Sequence, residues 1–343
     1  MATISTVTGP IDAAQLGMVL PHEHLVSDIS PSFALSGDDD IDAMLDRPVG
    51  ADLAWLLSQY PYNNRDNCRM DDVAAVLTDL NGFAQAGGGT VVDLTSANEG
   101  RSREELAHLS RESGVTIVMG SGWYLESSET PRMRSATVDE LTTDLLTDFR
   151  DVPFPPGVIG EIGISPGFTA AEERSLRAAA QAQTELRVPL FVHLPGWERH
   201  GHRVLDIVLE QIGVQPGAVV LCHMDPSGAD PDYQRSLAER GVFLEFDMIG
   251  MPYFYRGDGE GQSPSPEETA HAVAGLLNNG IGDQILISHD MGIKSMLTKH
   301  GGNGLRYVPT MFIERLRRLG CPEDVRTHLM EANPRRLFEA AAG

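Results

Sequence analysis

Short apolar, β-branched runs recur along this chain, each followed by a polar or glycine-rich loop and most then by a stretch of helical periodicity. The runs are MVLPHEHL from residue 18, TVVDLT from 90, VTIVMGSG from 115, GVIGEIG from 157, PLFVHL from 189, AVVLCH from 218, VFLEFD from 242 and QILISHD from 284. Between them, segments such as AAEERSLRAAAQAQTEL, DYQRSLAERG and EETAHAVAGLLNNG read as amphipathic helices. Several stop at glycine, which tolerates the left-handed conformation of a helix end. Eight strands alternating with helices predict an α/β fold with a parallel sheet closed into a (β/α)8 TIM barrel. Ahead of the first run, TISTVTGPIDAAQLG predicts a small N-terminal β-hairpin. Residues 31–71 make a long first connection, with a short helix expected over residues 53–59. No linker divides the chain, so residues 1–343 are expected to form one domain.

In such a barrel the chemistry sits at the C-terminal ends of the strands. His22 and His24 end the first run, Glu161 the fourth, His193 the fifth, His223 the sixth and Asp290 the eighth. Side chains at i and i+2 of a strand face the same side, so His22 and His24 aim together while Glu23 points away. Taken alone, that H-x-H pair fits surface histidines as well as a metal. Six ligand-type side chains at one end of one barrel do not, because buried imidazoles and carboxylates are costly without a partner. A shared pair of divalent cations answers this. His22, His24 and Asp290 would surround the more buried ion, His193 and His223 would hold the more exposed one, and Glu161 would bridge them. Mixed imidazole and carboxylate ligands suit Zn2+, with Mn2+, Co2+ or Fe2+ as alternatives. Two such ions acidify a bridging water and polarise a carbonyl or phosphoryl oxygen, with Asp290 expected to orient the hydroxide and take its proton.

Composition narrows the partners. The formal net charge is −23, which argues against nucleic acid and anionic membranes and leaves a small molecule as the expected partner. No run approaches the length of a membrane span. The three cysteines, Cys68, Cys222 and Cys321, form no C-x-x-C, and the first residues carry no secretory pattern, so a reducing cytoplasm is expected.

The set H-x-H, Glu161, His193, His223 and Asp290 resembles the ligand signature of the amidohydrolase superfamily. LGMVLPHEHL, GGGTVVDLTSANEGRSREELAHLSRESGVTIVMGSGWY, GVIGEIG, ISHD and ANPRRLF resemble the phosphotriesterase family along nearly the whole chain. YPYNNRDN, YQRSLAERGVFLEFDMIG and LTKHGGNG resemble its phosphotriesterase-related (parathion-hydrolase-related) branch. The best-known members bridge their metals with a carboxylated lysine where this chain has Glu161, as the related branch does. The resemblance implies a binuclear metal-dependent hydrolase and suggests a homodimer. It also implies a tyrosine near the metals, the place of Tyr124, with Trp123 beside it as a wall. The branch and the glutamate bridge favour attack on the carbonyl of a lactone or N-acyl amide. Phosphotriester or other phosphoester hydrolysis by the same metals is the alternative, and a metal-binding pseudoenzyme the remote one. Fold and metals alone do not fix the leaving group.

Other side chains compete for a role. Asp225, two residues beyond His223, is a candidate to orient a histidine or shuttle a proton, or a helix cap. Arg256, in the Gly/Pro-rich loop after the seventh strand, and Lys294, after the eighth, are candidates to bind a negative end of the substrate. His200 and His202 read as solvent-facing loop histidines, and His289 as a packing or hydrogen-bonding residue outside the barrel. GGNG at residues 301–304 lacks the Lys-Ser/Thr of a phosphate-binding loop.

Overall fold

The computed structural model describes residues 2–128, 131–150, 152–257 and 259–343. The N-terminal hairpin pairs β1 (Thr3–Ile4) with β2 (Ile11–Asp12). Eight parallel strands follow: β3 (Met18–Glu23), β4 (Gly88–Asp93), β5 (Thr116–Ser121), β6 (Val158–Gly163), β7 (Leu190–His193), β8 (Val219–Leu221), β9 (Phe243–Phe246) and β10 (Ile285–Ile287). Each pairs in parallel with the next in sequence, as right-handed crossovers through helices dictate. Their near-continuous apolar runs reflect burial on both faces, toward the barrel interior and toward the helices.

The seam between β10 and β3 is sewn largely by side chains. Asp290 N donates to His22 O at 3.1 Å and His22 N to Ser288 Oγ at 3.2 Å. Glu23 points away from His22 and His24, as expected of its place on the strand, and its fully buried carboxylate collects the rest. It accepts from Ser288 Oγ (2.8 Å), His289 N (3.1 Å), His289 Nδ1 (2.7 Å) and Met291 N (2.9 Å). Val308 N donates to His289 Nε2 at 3.0 Å, which leaves the ring proton on Nδ1, facing Glu23. His289 therefore lies outside the barrel and ties the end of β10 to β3.

The helices lie close to their expected places, for instance Ala170–Leu186, Pro231–Ala238 and Pro266–Asn278. Helix Arg103–Ser113 ends at Gly114 with φ 72°, the left-handed cap that glycine permits. In the long first connection the expected helix starts and ends two residues earlier, as a 3-10 turn Ala51–Leu53 running into Ala54–Leu57. It folds over a small core of Val49, Leu53, Leu56 and Leu57. Among the described residues no helix is long and apolar enough to cross a membrane.

Candidate metal centre

Five strands deliver the ligand-type side chains to one point. One oxygen of Glu161, in the C-terminal half of β6, faces His223 Nε2 at 2.9 Å, His193 Nδ1 at 3.1 Å and His22 Nε2 at 3.7 Å. Asp290, beyond β10, places Oδ1 at 3.1 Å from His24 Nε2 and 3.6 Å from His22 Nε2. Two ligand groups, His22–Glu161–His223 and His22–His24–Asp290, each gather within 4.8 Å and share His22. His223 and Asp290 take positive φ values of 58° and 51°. Residues with a side chain reach that conformation only at some cost, which the packed strand ends must offset.

The electrostatics ask for positive charge here. Burial alone would discourage a charge on Glu161, but His193, His22 and His223 hold its carboxyl well below the usual range. Burial likewise opposes a charge on His22 and His223. Glu161 and Asp247 outweigh it and raise both pKa values well above the ordinary one. His24 is also disfavoured by burial, yet Asp290 lifts it to about 9. Protons alone fit the cluster poorly. His223 Nε2 and His193 Nδ1 stand 2.7 Å apart, too close for a hydrogen on each. His22 Nε2 is fully buried and has no hydrogen-bond partner among the described residues. Nitrogen lone pairs and carboxylate oxygens converging on one point are the donor set of a divalent cation.

The far sides of the rings are held in place. His22 Nδ1 lies 3.0 Å from Glu245 Oε2 and 3.1 Å from Asp247 Oδ2. His223 Nδ1 lies 2.8 Å from Asp247 Oδ1, and His24 Nδ1 lies 3.1 Å from Thr95 Oγ1. Carboxylates on Nδ1 fix the hydrogen there and leave the Nε2 lone pairs of His22 and His223 directed inward. Glu245 and Asp247 went unnoticed in the sequence, although VFLEFD ends β9 with an acid as GEIG ends β6. Asp225, the residue expected to orient a histidine, instead accepts from Met248 N at 3.1 Å and Thr269 Oγ1 at 3.0 Å. It anchors the start of the loop after β9, because the 3-10 turn Asp225–Ser227 swings its side chain away from the rings.

Tyr124 stacks edge-on against His193, with ring centroids 4.8 Å apart. Burial, followed by the negative charge of Glu161, raises its pKa well above the ordinary value, so its hydroxyl keeps its proton. Gly163 makes room for the tyrosine backbone, since a Cβ there would come within 2.6 Å of Tyr124 O. Trp123 packs instead against Ala136, Leu141 and Ala178, on the helix side.

Above the centre opens a cavity of about 560 Å³, bounded below by His193, His223, Asp290 and Tyr124 and above by the first connection and the loop after β9. Arg256 lines it, with Nε donating to Gln59 O at 3.1 Å. Lys294 does not line it. Its ammonium is buried between Asp66 (2.5 Å) and Asp71 (2.6 Å), where it ties the first connection to the segment after β10. The expectation of a substrate contact there is replaced by this ion triad, because two carboxylates already saturate the charge. His200 and His202 stand apart from the centre, on Pro166 O and Ser236 Oγ.

The model of the phosphotriesterase family matches residues 2–338 of this chain. An N-acetyltaurine hydrolase of Salmo salar is 31% identical, over 97% of each chain. A phosphotriesterase-related protein of Nematostella vectensis is 29% identical, over 96% of each. The crystal structure of a resiniferatoxin-binding protein from Rhodobacter sphaeroides superposes with a TM-score of 0.96 at 42% identity, covering 100% of this chain and 96% of the other.

Proposed function

Because the chain belongs to the phosphotriesterase family, we propose that it is a binuclear metal-dependent hydrolase of a carboxylic ester or amide, a lactone or N-acyl amine. The observation that carries this reading is the convergence of four imidazoles and two carboxylates on one point, where the buried His22 Nε2 finds no hydrogen-bond partner among the described residues. His22, His24 and Asp290 would hold one divalent ion and His193 and His223 a second, with Glu161 shared. Zn2+ fits these donors, with Mn2+, Co2+ or Fe2+ as substitutes. A bound pair lowers the pKa of water and polarises an acyl oxygen.

The protein's own groups divide the remaining work. Asp290 stands at the floor of the cavity with its side chain 21% exposed, so it reaches both the centre and an incoming substrate. It takes the proton of the attacking water and delivers it to the leaving oxygen or nitrogen. Tyr124 keeps its hydroxyl proton and would donate a hydrogen bond to the acyl oxygen as negative charge develops there. Glu245 and Asp247 keep the rings in the tautomer that binds metal. Name and fold do not separate carbon from phosphorus electrophiles, so phosphotriesters belong in the same substrate panel.

Elemental analysis of the purified protein and of Glu161→Ala tests the centre. About two divalent ions per chain are expected, falling sharply in the variant. Hydrolysis of a lactone, N-acyl amide and phosphotriester panel should stop on chelation and in Asp290→Asn. Full turnover by Asp290→Asn with its metals bound would rule out the proton path above.

A further inference from the structure

The cavity over the centre is large for N-acetyltaurine, the substrate named for the Salmo salar relative, and away from the metal-binding floor its wall is aromatic rather than cationic. At about 560 Å³ it falls in the range that encloses a drug-sized ligand. Its far wall is a run of aromatic rings. Trp197 and Tyr255 stand 5.8 Å apart, and Tyr255 and Tyr62 5.7 Å apart, all half-buried and tilted to one another. Arg256 is the single Lys or Arg among the described residues that line the cavity, and Glu260 lies in the same wall. The guanidinium is already engaged. It lies 4.1 Å from the Tyr60 ring centre and 5.0 Å from that of Phe254, with Nε on Gln59 O. That clamp joins the loop after β9 to the first connection, as does Phe254 N on Ser58 O at 2.8 Å. Arg256 therefore shapes the wall, while the Glu260 carboxylate accepts from Gly257 N at 2.9 Å. A surface of net charge −23 does nothing to draw in anions.

We propose that this cavity selects an uncharged substrate bearing an aromatic group, seated on Trp197, Tyr255 and Tyr62 while its ester or amide carbonyl reaches the floor at Tyr124 and Asp290. The selection rests on the hydrolase reading, but binding and turnover test the two separately. Edge and face contacts with offset rings favour an aromatic guest over an alkyl one of equal size. Alternation of polar floor and apolar wall fixes which end of the molecule meets the metals.

The metal-loaded full chain is assayed with δ-valerolactone, 6-phenyl-δ-valerolactone and N-acetyltaurine. Binding of cyclohexanone and 3-phenylcyclohexanone, which have no bond to hydrolyse, is measured by calorimetry. The phenyl lactone should show kcat/KM at least tenfold above its parent and above N-acetyltaurine, and the phenyl ketone should bind at least tenfold tighter than cyclohexanone. Trp197→Ala should shrink both ratios about tenfold, through KM more than kcat, and Tyr255→Leu serves the same purpose if Trp197→Ala does not fold. Ketone discrimination without any turnover would sink the hydrolase reading and leave the aromatic site standing. Turnover in which the phenyl group gives no advantage, or in which N-acetyltaurine is the fastest substrate, would overturn the site.

Discussion

Glu23 carries more of the barrel's closure than any neighbouring side chain, and Glu23→Ala measures how much. Four donors end on its buried carboxylate, from Ser288, His289 (twice) and Met291. Truncation strands them at about 1–3 kcal/mol each. The Ser288 hydroxyl can rotate and water can enter the vacated space, so the net loss is about 4 kcal/mol rather than the full sum. With an unfolding entropy of about 2.1 cal/mol/K per residue, a chain of this length loses about 6 °C in Tm. Scanning calorimetry and urea titration of the metal-free protein would read the change without the contribution of bound ions. Glu23→Gln keeps one acceptor oxygen but turns an NH2 group on the donors, so it should lose roughly half as much. Because Asp290 hangs from the same seam, the alanine variant should also hold metal less tightly. A Tm within about 1 °C of the parent, with metal content unchanged, would refute the idea that Glu23 closes β10 onto β3.

Three further outcomes follow from the geometry. Asp247→Asn removes the carboxylate that holds His22 and His223, and metal affinity measured by competition with a chelator should fall by about 10–100-fold with the fold intact by circular dichroism. His24 has its pKa raised from 6.5 to about 9 in the metal-free protein, so its stabilising pairing with Asp290 is fully present below pH 6.5 and lost as pH rises through 9. Metal must displace that proton, so uptake followed by isothermal titration in buffers of different ionisation enthalpy should release protons below pH 9, and affinity should rise with pH over the same window. Lys294→Met breaks the triad with the partly exposed Asp66 and Asp71 and should lower stability by about 1–3 kcal/mol in urea titration, while kcat/KM stays within twofold. A tenfold fall in kcat/KM would return Lys294 to the substrate.

The fold was largely legible because parallel strands buried on both faces leave an unmistakable apolar run, and eight of them at helical spacing admit few other topologies. The same logic brought His22, His24, Glu161, His193, His223 and Asp290 to one mouth, since each sits at the end of such a run. Even the outward turn of Glu23 and the outer place of His289 follow from strand alternation. Partners across strands and loops were another matter. Asp225 lies two residues from His223 yet turns to Met248 and Thr269, whereas Asp247, 24 positions away, holds the ring. Lys294 looked like a free cation until two aspartates from the first connection closed on it. The aromatic wall draws on residues from three loops with no common spacing. Periodicity records which way a side chain points from its own strand; what it meets there depends on other strands and loops, from 23 to 228 positions away in these cases, and only the closed barrel brings those together.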